Sequence, residues 1–207
     1  MKSLIKEKLI AYSALAGTFY ATANGQILYT DIDPDILINV DGEAFDLDLN
    51  GDLVKDFRFR KVLLSTEVNS FATLSGNVFP AIMYINNIYA SALGANAIAG
   101  ELSPYSFNYP FALNEGDTIC ENLTWQGGNS QSLVYSFRYL MDLGGGGFSN
   151  YIVNNEGNWL GGKTDKFLGL QLKIGGDLLY GWVRLDITSG NDSLIIKDYA
   201  FNTLPGA

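Results

Sequence analysis

The most regular pattern in the chain lies between residues 167 and 201, where the sequence reads FLGLQLKI GGD LLYGWVRLDIT SGND SLIIKDYAF. Large apolar residues alternate with other residue types in Phe167–Ile174, Leu178–Thr188 and Ser193–Phe201, and the runs are separated by clusters of Gly, Asp, Ser and Asn. Alternation with a period of two is typical of a strand with one buried face. This stretch therefore predicts a three-stranded antiparallel meander. The predicted faces are Leu168, Leu170, Leu172 and Ile174 in the first strand and Gly181, Val183, Leu185 and Ile187 in the second.

The chain upstream of the meander has the same character. Asp41-Gly42 separates Ile36–Val40 from Glu43–Leu49, and this dipeptide favours a two-residue hairpin turn. Further strands are predicted at Phe57–Leu64, Val78–Ile85 and Leu133–Leu143. Residues 86–100 fit either a short helix or a loop, and Gly144–Gly147 predicts a mobile loop. Many short strands with frequent turns predict an all-β fold, an antiparallel β-sandwich of jelly-roll-like type, in one domain over residues 26–207.

The composition excludes several kinds of site. The 207 residues include no histidine and one cysteine, Cys120, so catalysis that uses histidine, a thiolate zinc site and an internal disulfide are excluded. Cys120 is interpreted as a buried apolar residue, with an intermolecular disulfide as the alternative. The net charge of −9 argues against nucleic acid as a partner.

Residues 1–25 are typical of an export signal. Three lysines and one glutamate precede an apolar run from Leu9 to Tyr20, and Ala21-Thr22-Ala23 and Ala23-Asn24-Gly25 provide small-residue cleavage motifs. Cleavage there leaves 10 basic and 21 acidic residues, a net charge of −11. No stretch approaches about 18 unbroken apolar residues, so no transmembrane segment is predicted. The expected location is extracellular or at the cell surface, with the periplasm as an alternative.

A candidate calcium loop lies in the acidic segment 31–56. In DLNGDLVKD, oxygen-bearing side chains fall at Asp48, Asn50, Asp52 and Asp56, and Val54 can offer its carbonyl. Calcium takes six to eight hard oxygen ligands, and a divalent cation relieves the repulsion between clustered carboxylates. An acidic β-turn without metal is the alternative.

Two neighbouring features are less specific. Asp46 is interpreted either as an additional calcium ligand or as part of the exposed face of its strand. Asp31, Asp33 and Asp35 around Pro34 fit a second cation site, although a turn is favoured.

Aromatic residues and two tripeptides suggest contacts outside the loop. Trp125 and Trp159 are candidate contacts for a glycan, because aromatic rings stack on sugars, although aromatic residues in a β domain are more often part of the core. Asp117-Thr118-Ile119 and Asp192-Ser193-Leu194 match an O-glycosylation pattern of exported proteins from Bacteroidota, which makes Thr118 and Ser193 candidate modification sites.

The loop resembles the calcium loops of dockerins, integrin-type propellers and EF-hands over about nine residues. It differs from them in having Leu53 where those loops usually carry glycine, and it lacks the bidentate Glu of an EF-hand. The whole chain resembles uncharacterised exported β-rich proteins of Bacteroidota and of the PEP-CTERM-associated type. The resemblance rests on Gln26–Pro34, Asp46–Phe57, Ala112–Ile119 with Trp125, Gly157–Trp159, Phe167–Leu170, Tyr180–Leu185 and Lys197–Ala200. It implies an extracellular β-rich module with a calcium loop and implies no reaction.

These observations lead to three hypotheses of function. The first is a non-enzymatic, calcium-stabilised β-sandwich at the cell surface that binds a glycan or a surface protein. The second is a self-assembling surface or filament subunit that associates through open sheet edges. The third is a polysaccharide hydrolase that uses carboxylates, although no spacing singles out a catalytic pair.

Overall fold

A computed structural model describes residues 26–72, 76, 78–103, 107–128 and 130–206. The predicted export signal lies outside these residues. Within them the chain forms twelve strands and no helix. The strands are β1 (Ile27–Ile38), β2 (Ala44–Leu47), β3 (Phe57–Ala72), β4 (Val78–Ala92), β5 (Ala97–Leu102), β6 (Asn108–Pro110), β7 (Trp125–Gly127), β8 (Gln131–Gly144), β9 (Gly147–Glu156), β10 (Lys163–Ile174), β11 (Asp177–Ile187) and β12 (Leu194–Asn202).

The strands form two antiparallel sheets that pack together as a β-sandwich, which confirms the predicted fold class. The seven-stranded sheet has the order β1-β12-β11-β10-β5-β6, and β7 also pairs with β5. The five-stranded sheet has the order β2-β3-β4-β8-β9. Successive strands are neighbours in one sheet more often than in a jelly roll, because β2-β3-β4, β8-β9 and β10-β11-β12 are all meanders.

The predicted C-terminal meander is confirmed together with its faces, except that Ile174 at the end of its strand is 45% exposed. β10 pairs with β11 and β11 with β12, and the register places Leu168 opposite Val183 and Leu185 opposite Ile196. These four side chains are fully buried. The core lies between this face and one half of the five-stranded sheet. Its largest fully buried members include Phe57, Phe59, Ile88, Leu133, Leu168, Leu170, Leu185 and Trp159.

Three local predictions have different outcomes. Asp41-Gly42 does form a turn, with Gly42 at a φ of 79°, but the flanking strands do not form a hairpin. β1 belongs to the seven-stranded sheet and β2 to the five-stranded sheet, so the turn carries the chain from one sheet to the other. Residues 86–100 are neither helix nor loop throughout, because they form the end of β4, a turn and the start of β5. Gly144–Gly147 forms the tight end of the β8–β9 hairpin.

No helix in the described part of the chain is long and apolar enough to cross a membrane.

Candidate functional site

The predicted calcium loop connects β2 to β3 and is folded around the carboxylate of Asp48. One oxygen of Asp48 accepts the backbone N–H groups of Gly51 at 2.8 Å and Asp52 at 3.2 Å. The other accepts the N–H of Leu53 at 2.7 Å. Hydrogen bonds to an ionised acceptor are stronger than neutral ones. This one side chain therefore closes the turn by itself.

The middle of the loop is ordered by its own polar side chains. The Asn50 amide donates to one oxygen of Asp52 at 3.0 Å, and the other oxygen of Asp52 accepts the Val54 N–H at 2.8 Å. Leu53 has a φ of 70°, in the left-handed region, and its side chain is 91% exposed. This conformation costs a residue other than glycine about 1 kcal/mol. Leu53 thus adopts the backbone conformation for which the resembling calcium loops use glycine.

Asp56 attaches the end of the loop to the body of the sandwich. Its carboxylate is buried, accepts the Leu49 N–H at 2.8 Å and lies 3.3 Å from the side-chain nitrogen of Asn96. Burial raises the pKa of this carboxyl, and the negative charges of Asp52 and Asp48 raise it further. The three carboxylates therefore already repel one another without a cation.

The oxygen-bearing residues of the loop are close in sequence, yet the described residues contain no group of three or more Asp, Glu, His or Cys side chains arranged to hold a metal ion. Calcium binding by Asp48, Asn50, Asp52, Val54 and Asp56 stays a prediction. Asp46 is on the outward side of β2, where Arg58 donates to both of its oxygens at 2.6 and 2.9 Å. This geometry favours the interpretation of Asp46 as part of an exposed strand face.

The second acidic cluster lies on β1 rather than in an isolated turn. Asp31, Asp33 and Asp35 are all exposed, and the pairing of β1 with β12 shifts register between Asp31 and Ile36. The shift accommodates the proline within an edge strand, as expected where proline cannot donate a ladder hydrogen bond. Binding of a cation by these carboxylates stays a prediction.

A different candidate site lies on the outer face of the seven-stranded sheet, where two aromatic rings of β11 are each supported by others. Trp182 packs against Tyr29 at 6.2 Å and edge-on against Phe167 at 5.1 Å between ring centroids. Tyr180 packs against Trp125 at 5.3 Å. A shallow groove of about 180 Å³ opens beside these rings. We call this the aromatic groove; its lining is Ile27, Ile119, Tyr180, Gly181, Trp182, Ala200, Phe201 and Asn202.

The groove exists because small residues and a covering segment are placed around the two rings. Ala200 lies between Tyr29 and Trp182 in the strand register, so the position between these two rings carries only a methyl group. The segment 111–124 crosses the same face and supplies Ile119. A Cβ on Gly169 would lie 2.9 Å from the Ala99 Cβ and 3.6 Å from the Ile119 Cγ2. Glycine at position 169 therefore allows the segment to approach the sheet closely.

A buried ion pair between Arg184 and Asp198 fixes the orientation of Tyr29, which packs against Trp182. Asp198 is 1% exposed, and Arg184 donates to both of its carboxylate oxygens. The Tyr29 hydroxyl also donates to Asp198, at 3.0 Å. Because three hydrogen bonds converge on one buried carboxylate, the Tyr29 ring is held in place against Trp182. Rings held in place in this way lose less side-chain entropy when a ligand binds.

The two tryptophans predicted to contact a glycan lie in different environments. Trp125 is half-buried beside the groove, packs on Tyr180 and donates its indole N–H to the Cys120 carbonyl at 3.2 Å. Trp159 is completely buried and belongs to the core between the two sheets. The prediction for Trp159 is wrong, because a fully buried indole offers no face to a glycan.

The predicted modification sites lie on two different surfaces. Thr118 is exposed within the segment 111–124, near the groove. Ser193 is half-buried and its hydroxyl donates to Asp192 at 3.2 Å. O-glycosylation of either residue stays a prediction. Cys120 is half-buried rather than fully buried.

Sequence reasoning did not single out the residues that form the groove. Tyr180 and Trp182 alternate with the predicted buried face of their strand, and nothing in this local pattern distinguishes a groove from an ordinary solvent face. The useful signal is the small residue Ala200 at the position that pairs with Trp182. That signal becomes visible only when the register between β11 and β12 is known.

Comparison with known proteins offers no relative from which a function can be transferred. Searches against protein-family models, curated proteins and solved structures find no match to this chain. The function has to be inferred from the aromatic groove and the acidic loop.

Proposed function

We propose that this protein is an exported β-sandwich that binds a glycan in the aromatic groove and does not act on it chemically. The observation that carries the proposal is the half-buried indole of Trp182, which is held by Tyr29 and Phe167 beside a concave surface. Ligand sites are typically concave and mostly apolar, with a few polar groups that fix orientation. An aromatic ring in such a place matches the apolar face of a sugar ring.

The distribution of carboxylates supports binding rather than hydrolysis. A glycosidase needs two carboxyl groups on opposite sides of the scissile bond. The groove lining contains no Asp or Glu. The acid nearest along the sheet, Asp198, is buried and bound by Arg184 and Tyr29. A carboxylate held in this way serves to position its neighbours.

Binding should be tested with an array of neutral and acidic oligosaccharides, followed by titration calorimetry with the strongest binder. We expect Trp182→Ala to weaken binding by about fivefold or more, because stacking contributes on the order of 1 kcal/mol or more. Tyr29→Ala should weaken it less. Phe148→Ala is the matched control, because this ring is 61% exposed on the other sheet. Unchanged binding by Trp182→Ala, or an array without any binder, would contradict the proposal.

A second proposal concerns the loop: calcium binds there and stabilises the fold. The surroundings of Asp56 favour it, since burial raises the pKa of this carboxyl and the negative charges of Asp52 and Asp48 raise it further. The donor set suits a hard cation. Asp48, Asn50, Asp52 and Asp56 would contribute side-chain oxygens, and Val54 its carbonyl. A cation bound only by the folded state would add about 2.7 kcal/mol of stability at a concentration one hundred times its dissociation constant.

Thermal unfolding with added calcium chloride or with EDTA tests this second proposal. We expect calcium to raise the Tm of the unmodified protein, and Asp52→Ala to abolish the rise. Asp46→Asn is the control, because Arg58 already occupies the Asp46 carboxylate, and this variant should respond fully. A calcium response that survives in Asp52→Ala would show that the ion binds elsewhere.

A further inference from the structure

The five-stranded sheet extends well beyond the core that it helps to form. Its buried core residues lie in β2, in the loop after it, at the start of β3 (Phe57, Phe59), at the end of β4 and at the start of β8. β3 has 16 residues and β11 has 11, which corresponds to about 53 Å against about 36 Å of strand. We call the part beyond the core the arm; it comprises residues 62–72, 78–86, 136–144 and 147–156.

Beyond the row that contains Glu156, which accepts the Tyr109 hydroxyl, the strand register gives the arm one side without charged residues. Directly paired residues point to the same side of a sheet. One row is Leu64, Ile85 and Phe137, and the next includes Met83, Tyr139 and Tyr151. We call this side, from the row of Leu64 to the far end of the arm, the arm face. Glu67, Arg138 and Asp142 of the arm point to the opposite side.

The arm face is apolar and partly exposed: Tyr151 is 38% exposed, Met83, Ile85, Phe137 and Tyr139 are half-buried, and Ala81 and Met141 in the next row are buried. Leu64 is 54% exposed, and none of the six residues belongs to the core cluster of the described chain. A β-sheet normally buries an apolar face against another layer. Contiguous exposed apolar surface in an otherwise charged protein marks an interaction site. The arm face therefore requires a partner with an apolar surface.

Charge and size point to a second copy of the same chain as that partner. The chain has a net charge of −9, so two copies repel each other wherever acidic surfaces meet. An uncharged face is where they approach at the lowest electrostatic cost. Four strands by about eight residues cover about 500 Å² on each copy. Two such faces bury about 1,000 Å² together, which is where specific interfaces begin.

We propose that the protein forms a homodimer in which the arm faces of two copies stack on each other. A two-fold axis brings the same patch of each copy together. Each arm then becomes one layer of a second, intermolecular sandwich, with the sheets about 10 Å apart. This inference is independent of glycan binding, because the aromatic groove is on the other sheet.

Two adjacent leucines provide a matched test. Leu64 lies on the arm face, and Leu63, 41% exposed, lies on the opposite side of the same strand. Sedimentation velocity over a wide range of protein concentration should show a reversible dimer for the unmodified protein. Leu64→Glu should raise the dimer dissociation constant by more than about tenfold, because like charges across an interface cost several kcal/mol. Leu63→Glu should dimerise like the unmodified protein.

The outcomes are distinct. A monomer at every concentration overturns the proposal, as does equal weakening by both variants. Circular dichroism and the Tm of each variant at low concentration show whether the monomer is folded. If Leu64→Glu does not fold, Phe137→Ser against Leu140→Ser repeats the comparison on β8, where these two residues point to opposite sides of the sheet.

Discussion

The long strands of the five-stranded sheet pass through two different environments. At the start of β3, Phe57 and Phe59 are completely buried, and Arg58 between them is exposed. Further along the same strand, Leu63 and Leu64 are consecutive and both exposed. The first half is one layer of a two-layer sandwich, and the arm is a single layer. Pairing of β3 with β4 therefore extends into a region where, in the described part of the chain, side chains on both sides of β3 are exposed.

The difference shows that pairing and packing are separable contributions to a sheet. Pairing with a neighbouring strand satisfies the backbone N–H and C=O groups in both halves. Burial of apolar area, which is the main favourable contribution to folding, occurs only where the second sheet covers the first. The arm is consequently the part of the molecule whose stability depends most on association.

The largest expected effect is a difference in unfolding free energy between a substitution in the packed half and one in the arm. Phe59→Ala should lower the free energy of unfolding by about 3–5 kcal/mol, because it leaves a cavity in the core. Leu64→Ala should change it by less than about 1 kcal/mol in the monomer, since that side chain is already half exposed. Urea unfolding at low protein concentration measures both. Equal losses would show that the arm is packed as tightly as the core.

The sequence was informative where structure is set locally. The alternation in residues 167–201 predicted β10, β11 and β12 and their buried faces, because period-two burial is a property of each strand by itself. Asp41-Gly42 predicted a turn correctly and a hairpin wrongly. A turn reverses the chain, but the sheet to which each flanking strand belongs depends on pairing with distant β12 and β3.

A smaller effect is expected at the boundary between the two halves. Lys61 is 8% exposed, and its ammonium donates to the carbonyls of Asn39 and Asp192, each at 2.7 Å. Lys61→Met keeps the apolar stem but leaves both carbonyls without this donor, at a cost of about 1–3 kcal/mol. Lys55→Met, at an exposed position in the loop, is the control. A similar midpoint of urea unfolding for both variants would mean that Lys61 does not connect the sheets.

The site was less predictable than the fold. The loop 48–56 is contiguous, so spacing alone singled out its oxygen-bearing residues, yet the turn is already closed by hydrogen bonds to Asp48. The aromatic groove combines strands from both ends of the chain with the segment 111–124. No local sequence pattern predicts that these distant segments lie side by side. Trp159 lies in the turn after Gly157. A turn has no hydrophobic periodicity, so the sequence does not show whether this side chain is buried or exposed.

The smallest expected effect is a pH dependence confined to the packed half. Arg58 donates to both oxygens of Asp46 and so lowers the pKa of that carboxyl below its usual value of 3.8. The folded state therefore holds the ionised form more strongly than the unfolded state does. Its contribution is fully present above the ordinary carboxyl pKa and is lost as the pH falls through the lower, folded-state pKa. The pair is exposed to solvent, so the effect is small.

Urea unfolding of Asp46→Asn and the unmodified protein at a series of acidic pH values measures this dependence. The stability difference between them should shrink as the pH falls through the carboxyl range and should vanish below the folded pKa of Asp46. Leu64→Ala is the counterpart in the arm, where the arm face carries no carboxylate, so its effect in the monomer should stay constant over the same range. A difference for Asp46→Asn that persists in acid would show that Asp46 acts through packing rather than through its charge.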